Sequence, residues 1–132
     1  MKKFPVQLVH QDARGQLLAI DRGNLWVESN LIVTRAGVTR GSHYHKETLE
    51  LIFFVQGQAK AKVINLKLQV HWEEDLTTGI AILIEPFGLH YIETHRDSVW
   101  LNMLSHRFDQ ISPDVHLPTE EERRMVQALF GL

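Results

Sequence analysis

The stretch Gly37-Val-Thr-Arg-Gly-Ser-His43-Tyr-His45-Lys-Glu-Thr-Leu-Glu50-Leu-Ile-Phe-Phe-Val-Gln-Gly57 decides how the chain folds. It opens and closes on glycine, the residue that best tolerates the backbone angles of tight turns. His43 and His45 stand two residues apart, so on a strand their imidazoles point to one face. Beyond them Glu50, Ile52 and Phe54 take one parity, and Leu51, Phe53 and Val55 the other. Both faces are apolar, which marks an interior strand. A carboxylate there is costly to desolvate unless it meets a cation or a proton. A divalent metal shared with two imidazoles meets that need, and His, His and Glu suit Zn, Fe(II), Mn, Co or Ni. The competing arrangement is a metal-free polar pocket in which His43 and His45 act directly as acid and base.

A second segment supplies a fourth group. The apolar run Ile80–Ile84 ends in Glu85-Pro86-Phe87-Gly88-Leu89-His90, a stiff turn that delivers His90 to the start of the next strand. Three histidines and one glutamate leave positions open on a five- or six-coordinate ion, as a catalytic site requires.

Around these segments, short apolar runs predict strands at Val6–His10, Leu17–Asp21, Trp26–Arg35, Leu49–Gln56, Lys60–Leu66, Leu68–Glu73, Ile80–Ile84, His90–Glu93 and Ser98–Leu104. Turn signals fall at Asp12-Ala13-Arg14-Gly15, Asp21-Arg22-Gly23-Asn24, Gly37, Gly41, Gly57 and Gly79. The stretch from Gln58 to Thr78 has neither Pro nor Gly, which predicts a hairpin of outer strands. So many short strands without a βαβ rhythm predict an antiparallel sandwich or barrel. After Pro113 and Pro118 the pattern changes. Thr119 stands three residues before Glu122, a capping-box spacing, and Glu120, Glu121 and Glu122 fill a first helical turn. Met125, Val126, Leu129 and Phe130 form an apolar stripe and Gly131 a stop, so 120–130 is an amphipathic helix expected to pack on the barrel or on a partner subunit. The division is therefore a barrel over residues 1–118 and a helical tail over 119–132.

The 132 residues suffice for one domain. Fourteen basic and sixteen acidic residues give a formal charge of -2, which offers no bulk field for nucleic acid or an anionic membrane. With no cysteine, disulfides, thiolate metal sites and cysteine nucleophiles are excluded. No run is long enough to cross a bilayer and no signal peptide is evident, so a cytoplasmic location is expected. Of the eight histidines, His10, His71, His95 and His116 stand isolated among polar residues.

Residues 37–57 match the cupin signature G-x5-H-x-H-x4-E-x6-G without a gap. The second cupin motif resembles Gly79 and Pro86-Phe-Gly-Leu-His90, one residue off on each side of Pro86-Phe-Gly88 and with Thr94 at the usual Asn. The resemblance implies an all-β, single-domain cupin: a double-stranded β-helix (jelly-roll barrel) with a short C-terminal helix, usually dimeric. It implies one divalent metal on His43, His45, Glu50 and His90. A finer similarity ties Asp12-Ala-Arg14-Gly15 and Arg40-Gly41-Ser-His43-Tyr-His45-Lys46 to cupins acting on nucleotide-linked keto-deoxy-sugars, the dTDP-sugar 3,4-ketoisomerases among them. Those enzymes typically carry Gln at the position of Glu50 and work without metal, so Glu50 is a departure that restores a ligand. Arg107-Phe108-Asp109 and Ser112-Pro113-Asp114 resemble the metal-binding epimerase cupin of bifunctional capsular-polysaccharide enzymes.

The implied function is a metal-dependent isomerase or epimerase that moves a proton beside a sugar ketone. Alternatives are an Fe(II) dioxygenase and a non-catalytic metal-containing binding cupin. Besides His43 and His45, the acid–base candidates are Tyr91, His95, His106 and Tyr44. Arg40, Lys46 and Arg14 are candidate contacts to the anionic substrate. The expected partners are a small-molecule substrate and a second copy of the chain, with Phe4–His10 lying along the neighbour's sheet; neither nucleic acid nor membrane is expected.

Overall fold

The computed structural model describes residues 1–20 and 26–132. Its elements are β1 (Lys2–Pro5), β2 (Gln7–Asp12), β3 (Gly15–Ala19), β4 (Glu28–Thr34), β5 (Thr39–His43), β6 (Glu50–Gln56), β7 (Ala59–Asn65), β8 (Val70–Leu76), β9 (Ile80–Ile84), β10 (Gly88–Thr94), β11 (Ser98–Leu104) and α1 (Glu120–Phe130). Five strands form one antiparallel sheet in the order β1-β9-β6-β11-β4, and four form a second in the order β5-β10-β7-β8. One buried cluster draws on both: Ile52, Phe54, Ile82 and Trp100 from the first, Ala59, Ala61, Val63, Leu76 and Ile92 from the second. The sheets thus pack face to face as the two walls of the double-stranded β-helix.

Register sets what each wall presents. Across the five-stranded sheet Glu28 pairs with Leu104, Leu104 with Glu50, and Glu50 with Ile84. The next inward row is Asn30, Asn102, Ile52 and Ile82, and the row after it carries Ile32, Trp100 and Phe54. Across the four-stranded sheet His43 pairs with His90, His90 with Val63, and Val63 with Trp72. One end of the interior is therefore polar and the other apolar. Phe54 and Trp100 close the apolar end, stacked at 5.9 Å between ring centroids and both essentially inaccessible.

Within the chain Lys2–Pro5 pairs with Ile80–Leu83 and Gln7–Asp12 with Gly15–Ala19. Two expectations are corrected. Strand β7 is not an outer strand but lies between β10 and β8, with Ala61, Val63 and Ile64 buried. Its turn into β8 needs neither Gly nor Pro because the Asn65 side chain accepts from the N–H groups of Lys67 and Leu68 while Gln69 takes a positive φ. The stripe on α1 is narrower than expected, since Leu129 is exposed. The end of the strand expected at Leu17–Asp21 and the turn at Asp21-Arg22-Gly23-Asn24 lie outside the described residues.

Helix α1 forms for the reason its sequence suggests. Thr119 accepts from the Glu122 N–H and Glu122 answers to the Thr119 N–H, a closed capping box worth about 1 kcal/mol. Gly131 ends the helix in the left-handed region. Val126 is buried against Ile64, Leu89 and Tyr91, which fixes the helix to the outer face of β7 and β10. Among the described residues no helix is long and apolar enough to cross a membrane.

Candidate metal centre

His43 ends β5, His90 sits in β10 directly opposite it, His45 follows β5 in a loop, and Glu50 begins β6. One ligand atom from each lies within 4.8 Å of every other. Gly41 makes this approach possible. It takes φ 91°, beside a register shift at His90 and Tyr91, and a Cβ there would meet the His90 carbonyl oxygen at 2.5 Å. Only glycine lets β5 run this close to β10 and bring its imidazole to the partner histidine.

Hydrogen bonds fix the chemistry of each ligand. His43 Nδ1 donates to the Gly41 carbonyl at 2.9 Å, His90 Nδ1 to the Gly88 carbonyl at 2.9 Å, and His45 Nδ1 to the Asp114 carbonyl. A carbonyl oxygen can only accept, so each Nδ1 carries a proton and Nε2 is the nitrogen left for a metal; without a metal, His45 Nε2 carries a proton that it donates to Glu50. The glutamate is oriented in the same way. Asn102 Nδ2 donates to Glu50 Oε2 at 2.9 Å, which leaves Oε1 facing His45 Nε2 at 3.0 Å and His90 Nε2 at 3.8 Å. Three imidazole nitrogens and one carboxylate oxygen thus converge with their outer atoms satisfied. Among the described residues no buried side-chain polar atom lacks a partner. The donor set fits a divalent cation, and this buried cluster can coordinate one.

Proton affinities are split across the quartet. Burial, helped by the neighbouring His90, pulls His43 down to about 4 against the attraction of Glu50. Burial also works against charge on His45, but the hydrogen bond and charge of Glu50 and the Asp114 carbonyl outweigh it, and its pKa lies above the ordinary value. Glu50 is the counterpart: burial opposes its charge, but hydrogen bonds from His45 and Asn102 and the charge of His90 bring it down to about 2.

Asp114 was noted in the sequence only within Ser112-Pro113-Asp114, and the structure gives it a specific task. Its carboxylate accepts from the N–H groups of Lys46, Glu47 and Thr48 and from the Thr48 hydroxyl, while its carbonyl receives His45. These donors hold its carboxyl well below the usual range although burial opposes them. Asp114 therefore ties the loop that carries His45 to the segment after β11.

The quartet faces a cavity of about 890 Å³ also lined by Glu28, Asn30, Ile32, Arg40, Ile92 and Trp100. Arg40 stands exposed at its rim, with Nε on the Thr34 hydroxyl at 2.7 Å and a second nitrogen toward the Val33 carbonyl. Other expected site residues lie elsewhere. Tyr91 neighbours His90 on β10 but has the opposite parity and packs with Val126 of α1. His95 is exposed beyond the end of β10, and His106 lines a small crevice that adjoins the cavity at His45, Leu104, Phe108 and Val115 without itself lining the cavity. Tyr44 packs near Phe87 and His116. Arg14 is exposed in the β2–β3 turn and paired with Asp12 at 2.6 Å, and Lys46 is exposed without lining the cavity. Glu28 and Asn102 went unrecognised in the sequence because their place follows from pairing across β4, β11 and β6.

With this geometry established, known proteins supply a context. A family model described as "Polysaccharide biosynthesis C-terminal domain" matches residues 10–116. Comparison with curated proteins gives no match in sequence. The fold is similar to that of the WlaRB TDP-quinovose 3,4-ketoisomerase from Campylobacter jejuni, with a TM-score of 0.78 and 17% identity over 93% of this chain and 96% of that one. It is similar to QdtA, a sugar 3,4-ketoisomerase from Thermoanaerobacterium thermosaccharolyticum in complex with TDP, at 0.75 and 18% over 98% and 96%. The capsular polysaccharide assembling protein CapF from Staphylococcus aureus is similar at 0.64 and 20%, over 86% of this chain but 32% of its own. These likenesses place the fold among cupin-like double-stranded β-helices.

Proposed function

The chain belongs to the polysaccharide biosynthesis C-terminal domain family, and from that premise we propose that it is a metal-dependent isomerase or epimerase of a nucleotide-linked keto-deoxy-sugar. The carrying observation is one cavity that joins the His43, His45, Glu50 and His90 cluster to a cationic rim at Arg40. Its volume falls in the range of small-molecule sites. The names of the similar structures point the same way, and one QdtA structure holds TDP-4-keto-6-deoxyglucose.

A divalent ion on this quartet supplies Lewis acidity to a ketone oxygen, which makes the adjacent C–H removable. The chain's own residues do the rest. His43, His45 and His90 offer their Nε2 lone pairs as ligands, so they hold the ion and do not move protons. Arg40 keeps guanidinium N–H groups for a diphosphate beyond those bonded to Thr34 and Val33. Ile32, Ile92 and Trp100 give the sugar a dry wall. In this assignment residues 1–118 form the catalytic barrel and 119–132 brace it.

The protein is also read as a cytoplasmic homodimer that binds no nucleic acid. The outward parity of the five-stranded sheet supports the dimer. It carries Leu31, Val33, Phe53, Leu83, Leu101 and Met103, with Leu31 65% and Val33 66% exposed. So continuous an apolar face fits a second copy of the chain, and a monomer at micromolar concentration in sedimentation would refute the pairing.

The activity is tested in D₂O with TDP- and UDP-linked 4-keto-6-deoxyhexoses. Deuterium is expected at the carbon beside the ketone, and chelation of the metal should abolish its entry. No exchange with any of them, together with oxygen-dependent loss of another compound on the iron-loaded protein, would replace this function with a dioxygenase.

A further inference from the structure

Proton transfer beside a ketone needs a base, and among the described residues the positions of the ionisable groups leave one choice. Tyr91, His95, His106 and Tyr44 are not among the residues facing the cavity. The ionisable side chains that line it are Glu28, Arg40, His43, His45, Glu50 and His90. Four of these are the metal quartet, whose lone pairs are committed. Arginine stays protonated and has no lone pair to offer. Glu28 remains.

Its placement suits the task. Glu28 pairs with Leu104, and Leu104 with Glu50, so the two glutamates share one inward row with a single strand between them. Two strand spacings separate their backbones by about 10 Å. Leu104 stands between them in that row and also lines the cavity, so a substrate that reaches both carboxylates lies across its side chain. Glu28 is half-buried and oriented from both sides: Asn30 Nδ2 donates to Oε2 at 3.0 Å and the Phe108 N–H to Oε1 at 3.3 Å. Asn30 also donates to Asn102 Oδ1 at 2.9 Å, and Asn102 donates to Glu50 Oε2 at 2.9 Å. The chain Glu28, Asn30, Asn102, Glu50 therefore sets both carboxylates from one scaffold. Two hydrogen bonds on Glu28 leave lone pairs free for a substrate proton.

We propose that Glu28 is the catalytic base of this site, taking the proton from the substrate carbon beside the ketone and returning it. The assignment rests on the keto-sugar function proposed above. In the first step the C–H bond breaks, the proton passes to a Glu28 oxygen, the C–H electron pair becomes the enolate C=C bond, and the carbonyl π pair moves onto the oxygen. In the second, the Glu28 acid returns its proton to carbon and the carboxylate is restored. No external oxidant or reductant is consumed.

The test compares wild type with Glu28→Gln and Glu28→Asp by deuterium wash-in from D₂O into the same TDP- and UDP-linked 4-keto-6-deoxyhexoses. Metal content, thermal midpoint and equilibrium binding of TDP are measured alongside. Glu28→Gln keeps the shape and its one carbonyl oxygen can still accept from the Phe108 N–H, while its NH₂ gives up the bond accepted from Asn30; it should retain one metal per chain and bind TDP within a few-fold of wild type. Its exchange should fall by about 10²–10⁴. Glu28→Asp keeps a carboxylate on a shorter stem and should recover part of the loss. Exchange in a metal-loaded Glu28→Gln within threefold of wild type would overturn the assignment alone. Exchange absent from wild type with every keto sugar would overturn the reaction and the assignment together.

Discussion

The two ends of the barrel interior are built from the same strands and do opposite work. Along β6 the inward residues run Glu50, Ile52, Phe54, and along β11 they run Leu104, Asn102, Trp100. Two inward steps lead from a carboxylate on a metal cluster to a buried aromatic stack. At the closed end the side chains pack into the core, with Trp100 also reaching the cavity wall, and burial stabilises the fold. At the open end buried polar groups cost free energy that hydrogen bonds and a cation must offset. The comparison teaches how to read a substitution: at Phe54 or Trp100 as a change in stability, at His45 or Glu50 as a change in metal binding.

The largest expected effect breaks the closed end. Trp100→Ala empties a site 1% exposed and stacked on Phe54, and should cost about 3–5 kcal/mol in chemical denaturation. The fraction that stays folded should still hold metal, because Trp100 contributes no ligand; loss of metal from folded protein would show that the two ends are not separable.

A smaller effect sharpens the open end. Asp114 touches the cluster only through His45 and its loop. Asp114→Ala should weaken metal affinity by about 10–100-fold in a competition titration with a chromogenic chelator, with Asp114→Asn recovering part of it. An unchanged affinity would mean that the His45 loop is held by other contacts.

The way these residues stand in the sequence explains what could be foreseen. The quartet was legible because His43, His45 and Glu50 are close in sequence, although His45 lies in a loop past β5 where strand parity does not apply. His90 was legible from the Pro86–Gly88 turn. Strand β6 announced itself by apolar residues on both parities. Strands β1 and β5 did not, since Lys2–Pro5 and Thr39–His43 are short and polar or carry Pro or Gly. Tyr91 shows an error that parity alone could have prevented: a neighbour of an inward histidine faces outward. Glu28 and Asn102 were beyond reach, because only long-range register across β4, β11 and β6 puts them beside Glu50.

The smallest effect is the response of the metal-free protein to pH. His43 titrates near 4 in the fold against 6.5 when unfolded, so its contribution to stability is complete above 6.5 and is lost as pH falls toward 4. Glu50 acts in the same sense, complete above 4.5 and lost toward 2. His45, raised in the fold, acts in the opposite sense: its contribution is complete below 6.5 and lost as pH rises through its raised value. The site's share of stability should therefore peak near pH 6.5 in thermal scans of chelator-treated protein. His43→Asn should flatten the descent between 6.5 and 4, and an unaltered descent would place its origin outside the open end.

The central claim is that His43, His45, Glu50 and His90 form one metal site. Elemental analysis of untagged protein, dialysed against trace divalent metals, tests it directly, with wild type beside a His43→Ala/His45→Ala double variant and Trp100→Phe as a folded control. The account predicts about one divalent ion per chain in wild type and in Trp100→Phe, and none above background in the double variant. Equal metal in the double variant and wild type would contradict it.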